Sequence, residues 1–180
     1  MRTIPRAPAR LRLPIERAWD GAPCDVPLRA ALELARAGDA LAVRASLAQP
    51  GPPRAPDAPP GARVEGLWEY DVVECFLAGA GGRYFELELG AEGRWLALSF
   101  DAPRVGADAH EALALDVAHG ASAGGWWAEV ALPLALLPPG LCAANAFAIA
   151  AGRFLAHHPV PGRRPDFHQP AAFPPLRLAP

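Results

Sequence analysis

Carboxylates and aromatic rings lie close together in one stretch of the chain, residues 66–100. Glu74 occurs in DVVECFL, Glu86 and Glu88 in YFELEL, and Trp95 opens WLALSF. A saccharide is bound by an aromatic ring against its C–H face and by polar side chains on its hydroxyls. The residue types in this stretch would therefore suit a saccharide.

Alternation of apolar and polar residues predicts three β-strands here, joined by two glycine-rich turns. One face of these strands would be apolar, with Val73, Cys75, Leu77, Phe85, Leu87, Leu89, Leu96, Leu98 and Phe100. The other face would carry Glu74, Phe76, Tyr84, Glu86, Glu88, Trp95, Ala97 and Ser99. We expect the turn GAEG to pair Leu89 with Arg94, which places Glu88 opposite Trp95 and Tyr84 opposite Ser99.

The mixed face has two interpretations. It is a binding platform, or it is a solvated surface with cross-strand pairs, since strand carboxylates are usually just exposed. A pair such as Glu74 with Glu86 or Glu88 could also serve a glycosidase. The chain contains no G-x-S-x-G, Walker loop or H-E-x-x-H, however, and we expect no catalytic residues.

Three further side chains are candidates for closing this face: Trp68, Trp127 and Arg153. Trp126 and Trp127 are adjacent on a predicted strand, so only one of them can join a given surface. In the C-terminal tail, Asp166 and His168 are interpreted as structural hydrogen-bonding groups or as the lip of a pocket. The tail histidines match no zinc-site spacing, and we expect no metal ligands.

Composition limits the function classes. The 180 residues suit one domain, 1–180, and the net charge of −2 argues against nucleic-acid binding. No apolar run approaches transmembrane length, so we expect no membrane partner. The N-terminal MRTIPRAPARLRLP lacks the apolar core of a secretory signal, and the three cysteines form no C-x-x-C. We therefore expect a cytoplasmic protein with buried, reduced thiols at Cys75 and Cys142.

The rest of the chain predicts further short strands. They are an edge strand in ARLRLPIE, a hairpin turning at Gly38-Asp39, and strands in ALALDVAHG, WWAEVALP, NAFAIAAGRFLA and residues 176–178. Residues 48–63, rich in Pro and Gly, are predicted to form a long surface loop. Eight or nine short strands separated by turn signals are typical of an antiparallel sandwich or barrel.

Four segments carry a family resemblance: GLWEYDVVECFL, YFELELGAEGRWLALSF, WWAEVALPLALLPPG and HPVPGRRPDFHQPAAF. In order and spacing the chain resembles, from about Leu32 onward, the DOMON-like domains related to type 9 carbohydrate-binding modules. The resemblance implies an all-β fold, an antiparallel β-sandwich of two sheets. It also implies sugar binding by aromatic and polar side chains, with calcium ions supporting loops. Haem, which other DOMON relatives hold through Met, is disfavoured because the only Met is Met1.

The sequence thus predicts a non-catalytic module that binds a saccharide. The predicted ligand-binding residues are Trp68, Glu74, Tyr84, Glu86, Glu88, Trp95, Trp127 and Arg153. The alternative is an intracellular protein-interaction domain whose sheet face meets a partner. An exposed apolar patch around Phe76, Tyr84 and Trp95, with no concave pocket, would favour that alternative.

Overall fold

The computed structural model describes residues 1–180, which form strands and short 3-10 turns without an α-helix. The strands are β1 (Arg2–Ile4), β2 (Leu11–Ile15), β3 (Arg17–Ala18), β4 (Arg29–Ala37), β5 (Ala40–Ala48), β6 (Val72–Ala78), β7 (Tyr84–Gly90), β8 (Trp95–Phe100), β9 (Ala118–Ser122), β10 (Gly125–Pro133), β11 (Ala143–Ala150), β12 (Arg153–Ala156) and β13 (Leu176–Leu178). The structure contains no helix with the length and apolarity needed to cross a membrane.

Two antiparallel sheets form a sandwich, which confirms the predicted fold class. One sheet has the strand order β2-β4-β5-β10-β9, and the other has the order β3-β12-β11-β6-β7-β8. The terminal strands β1 and β13 add a short parallel pair. The core between the sheets is a cluster of 31 buried residues drawn from both of them.

The centre of the six-stranded sheet, strands β6 and β7, is buried on both faces. Val73, Cys75 and Leu77 point into the core between the sheets. The alternate residues of β6 and β7 point away from that core, on what we call the outer face. A second cluster of 13 buried residues, including Phe76 and Phe167, covers the outer face with loop and tail residues. Every residue of β6 and β7 is therefore buried.

Several sequence predictions are confirmed. Strand β2 lies at a sheet edge, β4 and β5 form the hairpin around Gly38-Asp39, and β10 and β13 occupy their predicted places. The predicted loop, residues 48–63, contains no strand apart from Ala48, the last residue of β5. Cys75 is buried.

Other predictions are wrong in detail. The strand expected in ALALDVAHG begins only at Ala118, although Val117 packs into the core. NAFAIAAGRFLA is not one strand but the hairpin β11–β12, because Ala151 and Gly152 both adopt positive φ and reverse the chain. Cys142 is exposed rather than buried.

The register of β8 differs from the prediction by one residue. Gly90 N–H donates to Arg94 O at 2.8 Å, so the turn has three residues and Leu89 faces Trp95 instead of Arg94. Glu92 and Gly93 adopt φ values of 58° and 73°, which close this short turn. Because side chains alternate along a strand, the one-residue shift turns every side chain of β8 to the opposite face.

Candidate ligand-binding site

A cavity of about 450 Å³ opens on the outer face of the six-stranded sheet. Strands β6, β7, β8, β11 and β12 form its floor and walls, and the loop after β8 and the C-terminal tail form its rim. Its lining residues are Glu65, Trp68, Glu74, Glu86, Leu98, Phe100, Arg104, Ala107, Ala109, Ile149, Phe154, Pro165, Asp166, Phe167 and His168. The predicted polar face therefore contains a concavity beneath loop and tail segments.

Three carboxyl groups lie together on the outer face, and we call them the carboxyl floor: Glu74, Glu86 and Glu88. Glu74 faces Glu88 across β6 and β7, and Glu86 is the next outward residue of β7. The three side chains are only 2 %, 3 % and 0 % exposed, in that order. Glu74 and Glu86 line the cavity, whereas Glu88 does not.

Burial shifts the protonation of the carboxyl floor. Loss of hydration raises the pKa of Glu86 to about 8, partly opposed by the positive charge of Arg104. Loss of hydration, followed by repulsion from neighbouring carboxylates, raises the pKa of Glu74 and of Glu88 well above the ordinary value. Glu86 Oε2 and both carboxyl oxygens of Glu88 have no hydrogen-bond partner. At neutral pH Glu86 is therefore largely protonated, and its carboxyl group can both donate and accept.

His168 and Tyr84 join the floor to the rim. Arg104 N–H donates to Tyr84 Oη at 3.1 Å, and Tyr84 Oη lies 2.8 Å from His168 Nδ1. Burial and then the charge of Arg104 lower the pKa of His168 to about 4, so the ring is neutral at pH 7. With the Tyr84 hydroxyl donating to Nδ1, the ring proton sits on Nε2, 4.0 Å from Glu86 Oε2. This distance is too long for a hydrogen bond, so the N–H remains free for a ligand.

Charged pairs and aromatic rings form the rim and walls. The Arg104 guanidinium donates to Asp166 Oδ1 at 2.9 Å. Trp68 is 42 % exposed and Phe154 is 40 % exposed, and both line the cavity, which gives a ligand two accessible rings. Phe167 lines it as well and stacks on Phe147 with ring centroids 4.1 Å apart.

The structure separates the other predicted site residues from the cavity. Trp95 is wrong as an outer-face ring: it lies in the core between the sheets, 3 % exposed, and donates from Nε1 to Gly61 O at 3.2 Å. The shifted register of β8 is the reason. Tyr84 is on the predicted face, but it is buried beneath the rim and does not line the cavity.

Trp127 and Arg153 also lie elsewhere. Trp127 belongs to the five-stranded sheet and points away from the core, with the Arg44 guanidinium 4.1 Å from its ring centroid. Its neighbour Trp126 points into the core, as alternation requires. Arg153 donates two hydrogen bonds of 2.7 and 2.8 Å to the Asp25 carboxylate, which lies in the loop between β3 and β4, and it does not line the cavity.

Sequence reasoning missed Arg104, Phe154 and Phe167. Arg104 lies in DAPRVGADAHE, which has only loop signals, and its partner Asp166 is distant in the chain. Phe154 belongs to a hairpin that was predicted as one strand. Asp166 and His168, interpreted as hydrogen-bonding groups or a pocket lip, do line the cavity.

A second cavity, of about 350 Å³, contains Ser99, His110 and Asp108. Ser99 Oγ lies 2.7 Å from His110 Nε2, but His110 Nδ1 is 3.6 Å from Asp108 Oδ2, beyond a hydrogen bond. The Asp108 side chain is 70 % exposed, unlike the buried carboxylate that orients a catalytic histidine. We assign no catalytic role to this group. No cluster of three or more His, Cys, Asp or Glu side chains is arranged to hold a metal ion.

The chemistry of the first cavity is that of a polar ligand site. Glycosidases need one protonated and one ionised carboxyl group, set apart by their environments. Burial raises the pKa of both Glu74 and Glu86, so their environments do not assign one as the acid and the other as the ionised partner. Carboxyl groups, an imidazole N–H and exposed rings can instead bind a molecule that has hydroxyls and apolar edges.

Solved structures share this fold. The chain superimposes on a "putative carbohydrate-binding protein" from Bacteroides uniformis ATCC 8492 with a TM-score of 0.74, at 16% identity, over 99% of both chains. A family 9 carbohydrate-binding module from Caldicellulosiruptor kristjanssonii in complex with cellotriose gives a TM-score of 0.61, at 13% identity, over 98% of this chain and 92% of that one. The same family's module in complex with glucose gives 0.57, at 15% identity, over 92% and 82%. At such low sequence identities, these superpositions show a common fold and nothing beyond it.

Sequence relatives identify the family. No known protein-family model matches the chain. It is 34% identical over 176 residues to the UPF0462 protein C4orf33 homolog of Mus musculus, covering 90% of this chain and 88% of the relative. It is 31% identical to the corresponding Danio rerio protein, covering 86% and 83%, and 31% identical to the Homo sapiens protein, covering 86% and 81%. The chain therefore belongs to the UPF0462 family.

Proposed function

We propose that this protein is a non-catalytic saccharide-binding module whose ligand occupies the cavity above Glu74 and Glu86. The observation that carries the proposal is the combination, in one cavity of about 450 Å³, of buried carboxyl groups with two accessible aromatic rings. The structural neighbours include modules in complex with cellotriose and glucose, which supports the choice of ligand class.

The cavity suits a small sugar. Glu74 and Glu86 offer hydroxyl-binding groups at the floor, and Trp68 and Phe154 offer apolar faces at the opening. Sugar rings have hydroxyl edges and C–H faces, so a ring wedged between floor and opening satisfies both kinds of surface. The volume lies within the range of small-molecule pockets, which favours one or two sugar units over a long chain.

A protein-interaction role finds less support. That alternative requires an exposed apolar patch around Phe76, Tyr84 and Trp95 without a concave pocket. Their exposed fractions are 0%, 1% and 3%, and a cavity opens nearby.

Calorimetric titration with neutral and amino mono- and disaccharides tests the proposal. We expect Trp68→Ala to weaken binding about tenfold, which is about 1.4 kcal/mol, because a stacking ring is lost. Glu86→Gln keeps the side-chain size but changes the hydrogen-bonding groups, and we expect a loss of similar size, roughly tenfold.

Trp127→Ala is the matched control, because Trp127 is also a partly exposed tryptophan but lies on the other sheet. It should bind like wild type. The proposal fails if wild-type protein binds no saccharide at millimolar concentration, or if Trp127→Ala weakens binding as much as Trp68→Ala.

A further inference from the structure

The acids at the cavity rim have cationic partners. Asp166 Oδ1 lies 2.9 Å from the Arg104 guanidinium, and Glu65 Oε2 lies 3.2 Å from the Arg63 guanidinium. These two acids are therefore compensated within the protein. They leave no unmatched charge for a ligand.

The carboxyl floor has no such partner. None of the three floor acids forms a salt bridge to an arginine. The base nearest to Glu86 is His168, whose Nε2 lies 4.0 Å from Glu86 Oε2, and this ring is neutral at pH 7 because burial lowers its pKa to about 4. The three buried carboxyls thus lie together without an ion pair to arginine, and Arg104 acts on Glu74 and Glu86 only from beyond salt-bridge distance.

The cavity makes these acids available to a ligand. Glu86 is 3 % exposed and lines the cavity, and its Oε2 has no hydrogen-bond partner. Glu74 lines the same cavity and is 2 % exposed. A buried polar group without a partner costs free energy that a partner of the right chemistry would recover. Because Glu74 and Glu86 line the cavity, a ligand bound there is the available source of that partner.

We propose that the saccharide bound here carries a protonated primary amine, which lies against Glu74 and Glu86 and supplies a positive charge that lets these acids ionise. The ligand class is an amino sugar. This inference rests on the proposed function and narrows it. An ammonium donates three hydrogen bonds and brings one positive charge, whereas a neutral hydroxyl brings no charge to three acids.

Binding of such a ligand releases protons. The ammonium favours the carboxylate form, so the pKa of Glu86 falls in the complex and its proton passes to solvent. Glu88, on β7, is the third acid of the floor. The other ionisable groups around it are Glu65 in the segment before β6, Arg104 in the loop after β8, and Asp166 and His168 in the C-terminal tail. The two paired rim acids are already compensated, so the released protons come from the floor.

Matched sugars test the inference by calorimetry at pH 7. The amino sugars are 2-amino-2-deoxyglucose and 6-amino-6-deoxyglucose. Each is compared with its N-acetylated form and with glucose. We expect at least one free amine to bind about tenfold or more tightly than both neutral forms. Titration of that sugar in two buffers of different ionisation enthalpy should show net proton release.

Variants locate the preference. The double variant Glu74→Gln/Glu86→Gln should lose the preference for the amine, since it removes the two acids that line the cavity. Glu33→Gln, on the five-stranded sheet and paired with Arg12 at 2.8 Å, should keep it. The wild-type measurements alone decide the inference if the double variant does not fold.

Three results would overturn the inference. Equal affinity of wild type for amine and neutral sugars would contradict the amino-sugar inference but would be consistent with saccharide binding. Binding of no sugar in the series removes both. Tight amine binding without proton release would also contradict the inference, because the floor acids would then not be the groups that compensate the charge.

Discussion

Three buried glutamates are central to the ligand binding that we propose for this chain. Glu74, Glu86 and Glu88 occupy positions that apolar residues fill elsewhere on the same strands. Burying such groups without partners lowers stability, since each loses its hydration. Hydrophobic residues of similar size would pack there at a lower cost in free energy. We therefore assign the three glutamates the role of binding a ligand that restores the lost interactions.

Trp95 illustrates the opposite case, a residue with binding chemistry that serves packing. Its ring lies between the sheets and its indole N–H is satisfied by Gly61 O. We expect Trp95→Ala to lower the free energy of unfolding by about 3–5 kcal/mol, because it leaves a cavity in the core. Urea denaturation measures this loss.

Trp127→Ala should cost clearly less in the same experiment, since its ring is partly exposed beside Arg44. A Trp95→Ala variant that keeps wild-type stability but loses saccharide binding would contradict the placement of this ring.

At the scale of elements, two equivalent turns set the register of β6, β7 and β8. GAGGR and GAEGR each close with a glycine N–H donating to the arginine carbonyl, Gly79 to Arg83 at 2.9 Å and Gly90 to Arg94 at 2.8 Å. The final glycines of both turns, Gly82 and Gly93, have φ values of 83° and 73°. The second turn decides which face of β8 meets the core.

The two turns provide a matched pair of substitutions. A Cβ at Gly93 would lie 2.7 Å from His119 Cδ2 and 3.1 Å from Val117 O, whereas a Cβ at Gly82 would meet nothing within 4 Å. Both variants lose glycine's freedom at positive φ, at a cost of about 1 kcal/mol. Gly93→Ala should cost roughly 1–3 kcal/mol more by thermal or urea unfolding, because the backbone of the β9 region must move. Equal costs would show that the contact with His119 is not rigid.

Strand positions could be predicted from the sequence more readily than the register of β8. Glu74 and Glu86 alternate with apolar residues, so their face could be assigned. In β8, Trp95 and Ala97 alternate with Leu96 and Leu98, and both sets are buried. Because either face of β8 would suit a core, only the length of the turn before it decides which face points inward. The alternation of residues contains no information about that length.

At the scale of the whole molecule, distant segments complete the site. Arg104 and Asp166 are 62 residues apart in sequence yet form one ion pair over the cavity. Tyr84 and His168 are 84 residues apart and form the hydrogen bond beneath it. The floor could be predicted because it lies on local strands, whereas the rim depends on tail and loop packing that no local pattern encodes.

The pH dependence of stability follows from the carboxyl floor. In the folded chain the pKa of Glu86 is raised to about 8, and unfolding returns it to about 4.3. Between these two pKa values the folded state binds more protons than the unfolded state, so stability is lost as the pH rises toward 8. His168 has the opposite sign, since its folded pKa of about 4 lies below the ordinary 6.5, and most of its contribution is complete by pH 6.5.

We therefore expect the free energy of unfolding to fall between pH 6.5 and 8, by roughly 1–2 kcal/mol from Glu86 alone. Glu86→Gln should make this dependence less steep, and Glu33→Gln should leave it unchanged. Urea denaturation at several pH values measures the slope. A slope that is flat or rising in wild type would mean that the floor acids are ionised in the folded chain.

The most direct test of the central claim uses the indole N–H signals of the five tryptophans in a 1H–15N spectrum. Wild-type protein is titrated with glucose and with 6-amino-6-deoxyglucose. Saccharide in the cavity above Glu74 and Glu86 predicts a saturable shift of the Trp68 signal, while Trp127 on the other sheet stays in place. No change at Trp68 with either sugar, or a shift at Trp127 instead, would contradict the account.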